Sequence, residues 1–197
     1  YGANISTWDT SNVTDMSELF KGKASDTSEL FKGKASFNDN ISVWDVSNVV
    51  NMESMFSGCT VFNQDIGSWN TSKLTFCNNM FSGCTKFNNG NNANNISTWN
   101  MSNVGSNTNG EETPIFSTMF QNASSFTRDI RNWKMPNPTS NFDFTNMFLG
   151  ATKFLSLYKD FPGWENNDST TNTPTIDFFN VITYFSIPKG INSKDYR

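Results

Sequence analysis

The residues whose type and position come nearest to chemistry are two aspartates and three cysteines. Asp9 and Asp45 fill equivalent places in successive Ile-Ser-x-Trp-Asp runs. Brought side by side, two carboxylates share a cation or divide acid and base roles as in a glycosidase. Spaced along an exposed surface, they are simply solvated, and that is the expectation here. Cys59 and Cys84 lie 25 residues apart in matching Gly-Cys-Thr runs, and a disulfide between them requires Cα atoms within about 7 Å. Ala123 and Ala151 stand at the same point of later runs. All three thiols, Cys77 included, therefore read as small buried apolar groups. No C-x-x-C pair and no histidine accompany them, so neither a metal site nor a thiol nucleophile is expected.

Composition narrows the function further. With no His among 197 residues, Ser-His-Asp and Cys-His nucleophiles, His-ligated zinc and imidazole acid-base catalysis are excluded. A non-enzymatic role without cofactor or metal is the expectation. Charged residues make up 16% of the chain and the net charge is −4, with the basic residues scattered, which argues against nucleic acid as a partner. No apolar run reaches the roughly 18 residues of a membrane span. Tyr1 opens the sequence with neither initiator Met nor leader, which points to a fragment or a processed product. Much of the polar remainder is Asn, about 30 residues, together with Ser and Thr.

The elements that must place these residues follow from an internal repeat. Trp44 and Trp69, Met55-Phe56 and Met80-Phe81, and Phe62 and Phe87 are each 25 residues apart. Each unit reads I-S-x-W-[D/N]-x-S-[N/K]-[V/L], six variable residues, then M-F-x-G-[C/A]-[T/S]-x-F-N. Five units are anchored by Ile5/Trp8, Ile41/Trp44, Ile66/Trp69, Ile96/Trp99 and Ile130/Trp133. Longer Trp spacings are absorbed by polar insertions, Asn89 to Asn94 and Gly105 to Pro114.

Within a unit, Ile5, Trp8, Thr10 and Val13 match the offsets of L-x-x-L-x-L-x-x, the pattern of one short strand per leucine-rich coil. Met52, Met55 and Phe56 fall at i, i+3 and i+4, one helical face, and Gly58 ends it. The fold class expected is an α/β solenoid, leucine-rich-repeat-like, with one short parallel strand and a short helix per coil. It spans residues 1–154, with Trp44, Trp69 and Trp99 in one buried column and Phe56, Phe81 and Phe120 in another. The segment 155–197 lacks the repeat and reads as a β-rich cap, its apolar run Ile176 to Ile187 closing a stack end that otherwise exposes edge and core. Trp164, outside the repeat, is the aromatic expected to be exposed.

The first unit is longer by a tandem copy. Asp15 to Ser25 and Asp26 to Ser36 differ only at Met16 and Thr27. Eleven residues are close to three helical turns, so a lengthened first helix keeps Leu19-Phe20 and Leu30-Phe31 in phase. The competing reading, an artefact of sequence assignment, rests on Asp26 standing where the closing Phe belongs.

The runs ISVWDVSNV, MFSGCTVFNQDIGSW and MFSGCTKFNN resemble the BspA-like leucine-rich-repeat surface proteins, including the 25-residue repeats of mycoplasma-type surface lipoproteins also found in protists and giant viruses. The likeness covers about Ala3 to Phe154. It departs at Lys23 and Lys34, which replace the small residue after Gly, and at Lys134-Met135-Pro136. The resemblance implies an extracellular or cell-surface protein of the adhesion type whose partner is a protein or cell-surface macromolecule. The alternative it leaves is a structural subunit of a virion shell or cell-envelope layer, at the virion surface, with neighbouring subunits as partners.

A solenoid binds through side chains that point away from its core. Here these are Thr7, Val43, Ser68, Thr98 and Asn132, beside Asp9, Asp45, Asn70, Asn100 and Lys134. The Ser11, Ser47, Ser72 and Ser102 column, with Asn12, Asn48 and Asn103, reads as hydrogen-bond ladders that satisfy turn backbone. Sequons such as Asn4-Ile-Ser6 and Asn40-Ile-Ser42 follow from composition and matter only in a glycosylating compartment.

Overall fold

The structure, a computed structural model, describes residues 4–22, 35–91, 96–106, 115–136 and 142–179. Each repeat is one coil, and coils 1 to 5 begin at Ile5, Ile41, Ile66, Ile96 and Ile130. The half read as a strand is instead a pair of tight turns. Trp8 N–H donates to the Ile5 carbonyl at 3.1 Å and Val13 N–H to Thr10 at 3.0 Å. The same two closures recur as Trp44 to Ile41 and Val49 to Val46, and as Trp69 to Ile66 and Leu74 to Thr71. Ile5–Thr7 and Ile96–Thr98 are single 3-10 turns. Parallel pairing survives only as isolated bridges, Asp15 to Asn51, Asn51 to Phe76, and Asn100 to Lys134.

The half read as helical, Asn51 to Cys59, is not helical either. Its amides alternate between two destinations. Met55, Ser57 and Cys59 donate three residues back within the coil. Met52, Ser54, Phe56 and Gly58 donate to Phe76, Asn78, Met80 and Ser82 of the next coil, at 2.7–3.0 Å. Coil 1 meets coil 2 identically, Met16, Glu18, Phe20 and Gly22 donating to Asn51, Glu53, Met55 and Ser57. The physical reason is backbone hand. Ser54 and Gly58 have φ of 54° and 77°, and a left-handed residue every four positions interrupts an α-helix. The spacing i, i+3, i+4 places Met52, Met55 and Phe56 inward in both geometries, so the pattern alone does not separate them.

Left-handed backbone recurs in two columns. One holds Glu18, Ser54, Asn79, Thr118 and Asn146, with φ of 53–57°. Thr118 is β-branched there, a conformation costing about 1–2 kcal/mol, and it is held by its N–H bond to the Thr145 carbonyl at 3.0 Å. The other column holds Gly58, Gly83, Asn122 and Gly150. A Cβ at Gly58 would lie 2.1 Å from the Gly22 carbonyl oxygen, so close approach of coils as well as positive φ requires glycine at this corner.

Aromatic rings fill the interior in register. Phe56, Phe81, Phe120 and Phe148 stack with centroids 5.5–5.9 Å apart. Phe62, Phe87, Phe126 and Phe154 form a parallel column, and the two touch within each coil, Phe56 on Phe62 at 4.1 Å. Trp69, Trp99 and Trp133 stack at 6.4 and 6.3 Å. Every indole N–H from coil 2 onward donates to the isoleucine carbonyl one coil back: Trp44 to Ile5, Trp69 to Ile41, Trp99 to Ile66 and Trp133 to Ile96, at 2.7–3.3 Å. Trp44, Trp69 and Trp99 are buried as expected. Trp8 is not. It stacks on Trp44 at 6.1 Å but is 51% exposed, because no described residue covers its other face.

The longer first helix expected from the tandem copy falls mainly on residues 23–34, outside the described residues. Gly22 and Ala35 are neighbours: a Cβ at Gly22 would sit 3.1 Å from the Ala35 nitrogen. Phe20 lies in the Phe56 column and Phe37 in the Phe62 column, so coil 1 is closed by Phe20 of the first copy and by Phe37, the residue that follows the second.

At the far end, the helix α1 (Thr152–Tyr158) and the following loops lie over coil 5. Phe148 N–H donates to Asn172 and Asn146 N–H to the Thr173 hydroxyl. Phe179 stacks on Trp133 at 6.2 Å. Trp164, expected to be exposed, is 3% exposed and packs against Phe178 at 4.9 Å, its indole donating to the Tyr158 carbonyl. The expected β-run begins instead as the 3-10 turn Ile176–Phe179; the rest of that run lies outside the described residues.

Two outcomes are expected. Trp99→Ala should cost about 3–5 kcal/mol, whereas Trp8→Ala, stacked on one face only, should cost about 1 kcal/mol; chemical denaturation of both variants checks the ratio. Ending the chain after Phe154 should cause aggregation and lower amide protection in coil 5 before coils 2 and 3, read by hydrogen exchange.

Candidate functional site

Asx side chains brace the coils at three corner positions, and these decide what the carboxylates do. At the first corner Asn4, Asn40, Asp65 and Asp129 accept the N–H of the residue two places on, Ser6, Ser42, Gly67 and Arg131, at 3.0–3.2 Å. At the second, Asp9, Asp45, Asn70 and Asn100 accept from Ser11, Ser47, Ser72 and Ser102. At the third, Asp15, Asn51 and Asp143 accept from Ser17, Glu53 and Thr145. An Asx side chain bonding backbone two residues on mimics a turn. A fourth set ties coil to coil, Asn38 accepting from Asn63 N–H, Asn63 from Asn88, and Asn88 from Thr127.

Asp9 and Asp45 are thus committed to turns. Hydrogen bonds from the Ser11 and Ser47 hydroxyls and amides hold both carboxyls below the usual carboxylate range. A general acid needs the opposite shift. No group of three His, Cys, Asp or Glu among the described residues is placed to hold a metal ion. The Asn column bonds turn backbone as expected, Asn48 Nδ2 donating to the Ser11 carbonyl at 2.8 Å and Asn103 Nδ2 to Ser72 at 2.5 Å, whereas the Ser11 hydroxyl donates to the Asp9 carboxylate at 2.7 Å.

Cys59, Cys77 and Cys84 are buried, and no disulfide joins them. Their thiols lie against the carbonyls of Phe20, Ile115 and Phe56 in adjacent coils. Burial pushes the Cys77 and Cys84 thiols far above the ordinary range, which removes nucleophilic thiolate at neutral pH.

Thr7, Val43, Ser68, Thr98 and Asn132 lie on the surface of successive coils, each one residue before its tryptophan, and all are exposed, Val43 to 68%. Asp9, Asp45, Asn70 and Lys134 are also exposed and Asn100 is half-buried. The two columns therefore run together along the stack. The face is acidic in coils 1 and 2 at Asp9 and Asp45, neutral in coils 3 and 4, and basic in coil 5 at Lys134. Sequence reasoning missed the first and third braced corners and the indole-to-isoleucine bonds. The signal for the corners is present where Asn or Asp stands two residues before Ser or Glu, as in Asn4/Ser6, Asp15/Ser17, Asn40/Ser42 and Asn51/Glu53.

A last cluster joins coil 5 to the tail. Arg131 pairs with Asp129 at 2.7 Å and lies 3.9 Å above the Phe161 ring and 5.2 Å above Tyr158. Burial raises the Asp129 pKa, but the Arg131 bonds outweigh it and the net shift is downward. These groups are structural, since their polar atoms satisfy one another.

The chain is a repeat protein of stacked coils. It belongs to the family described as Mycoplasma protein of unknown function, DUF285, whose model matches residues 1–28, 22–111 and 91–181. No curated protein and no solved structure matches it.

A pH dependence follows from the braced corners. The lowered carboxyls of Asp9, Asp15, Asp45 and Asp168 stabilise the fold above their unfolded-state pKa, and that contribution is lost as pH falls through the lower folded value. Stability should drop between about pH 5 and pH 2. Replacing all four by Asn, which keeps the accepting oxygen, should flatten the curve in thermal melts across that window; an unchanged slope excludes these carboxylates as its source.

Proposed function

We propose that the chain is a leucine-rich-repeat-like α/β solenoid, with its strands and helices reduced to turns and bridges. On this reading it works as a non-catalytic, surface-exposed binding module of the BspA-like kind. Its ligand is a protein or other macromolecule of a host or cell surface. The observation that carries the reading is the column Thr7, Val43, Ser68, Thr98 and Asn132: five exposed side chains, one per coil, in a row along the stack. Short polar and β-branched side chains on such a surface lose little rotamer entropy when covered, which suits a broad protein interface better than a small-molecule pocket. The absence of histidine and the commitment of Asp9 and Asp45 to turns support a role without catalysis.

The test is a triple variant, Val43→Arg, Ser68→Arg and Thr98→Arg. Its thermal midpoint should stay within a few degrees of the parent. Binding of the fluorescently labelled chain to intact eukaryotic cells and to immobilised extracellular-matrix proteins should fall at least about tenfold. Full binding by the variant would move the interface elsewhere. Glycoside or ester turnover abolished by Asp45→Asn would replace the binding module by an enzyme, and parent chains found locked in an ordered shell or envelope layer would favour the structural subunit.

A further inference from the structure

Coil 1 is the one coil whose leading side has no partner among the described residues. From coil 2 onward a tryptophan indole donates to the isoleucine carbonyl one coil back; the Trp8 indole has no acceptor among the described residues. The carbonyls of Asn51, Glu53, Met55 and Ser57 each accept an N–H from coil 1. Their equivalents in coil 1, those of Asp15, Ser17, Leu19 and Lys21, accept nothing among the described residues. Side chains tell the same story. Met55, Met80, Met119 and Met147 are fully buried, whereas Leu19, at the head of that column, is 37% exposed. Phe20 and Phe37 are only partly buried, while Phe56 and Phe62 behind them are fully so.

We propose that this end is a docking surface for one further coil of the same repeat. The interface is already built several times within the chain, and coil 1 presents its acceptor half complete: a row of alternate carbonyls, an indole donor, and the open faces of one Trp and two Phe columns. The occupant must supply alternate N–H groups in the register of Met16, Glu18, Phe20 and Gly22, and an isoleucine-type carbonyl for Trp8. An extended strand can offer alternate N–H groups on one side, but it brings neither an isoleucine-type carbonyl for the Trp8 indole nor a Trp and two Phe rings at the spacing of the three open columns. A second copy of this chain does not fit either. Head to head it opposes carbonyls with carbonyls and sets Asp9, Asp15 and Glu18 against their own duplicates. Head to tail, its donors at Asn146 and Phe148 are already taken by Thr173 and Asn172. The inference does not depend on what the Val43 face binds.

The test inserts a copy of residues 41–65 between Asn4 and Ile5 of the full chain, its own tryptophan changed to Phe so that Trp8 remains the reporter. Asn4 then caps the new isoleucine as Asn40 caps Ile41. A folded extra coil should raise the thermal midpoint, slow exchange of the Trp8 indole N–H at least about tenfold and protect the amides of Ser17 to Gly22 no less than before. The same block inserted between Asp65 and Ile66 gives the signature of a folded extra coil, and a scrambled block gives that of an unfolded one. A terminal block behaving like the scrambled one, with Trp8 exchange unchanged, overturns the proposal. So does concentration-dependent dimerisation of the parent chain that protects Trp8, since it would make a second copy the occupant.

Discussion

Half of the amides in each turn-built segment have no acceptor within their own coil, and the rest of the structure depends on the neighbour that supplies one. Leaving a buried backbone donor unpaired costs more than a typical hydrogen bond gains. A coil therefore has a single low-energy position relative to the next. That requirement fixes the left-handed φ at Ser54, Asn79 and Thr118, excludes a side chain at Gly58, and holds the rings of adjacent coils within about 6 Å of one another. Stability in such an array is a sum over coils and the interfaces between them, and the buried aromatic columns supply its apolar share.

The unusual composition has the same origin. A turn-rich coil has many more corners than a helix, and every corner leaves N–H groups that the main chain does not reach. Asn and Asp bond backbone two residues on and tolerate left-handed backbone, so they gather there: Asn4, Asn40, Asp65 and Asp129 at one corner, Asp9, Asp45, Asn70 and Asn100 at the next. Low charge follows. Side chains that neutral amides serve as well as carboxylates do not need ionisation, which is why Asp and Asn alternate within one column.

The period of 25, the inward positions and the aromatic columns were legible because burial imposes the same spacing on every coil. Secondary structure was not. Met52, Met55 and Phe56 point inward from a helix and from a ribbon of turns alike, and Ile5, Trp8 and Thr10 do so from a strand or from two closures. Only the sign of φ at Ser54 and its equivalents separates these, and Glu, Ser, Asn and Thr in that column carry no common sequence mark. End effects were equally hidden: Trp8 and Trp164 bear the same residue type, and position in the stack exposes one and buries the other. For the candidate site, the exposed columns beside each tryptophan could be read from the alternation around it, whereas the engagement of Asp9 and Asp45 depended on hydroxyl geometry at the following serine.

Because the turn-built segments send their N–H groups toward the higher-numbered coil and point their carbonyls at the lower, their peptide dipoles add along the stack. An ordinary sheet cancels such dipoles strand by strand. Here the sum resembles that of a helix, negative at coil 1 and positive at coil 5. At the first end Asp9, Asp15 and Glu18 stand against Lys21 alone among residues 5–22, which adds negative charge where the dipoles are already negative. The molecule is thus an electrical rod with a fixed axis. Near a charged surface it turns before it touches, and ionic strength sets the distance at which that alignment begins.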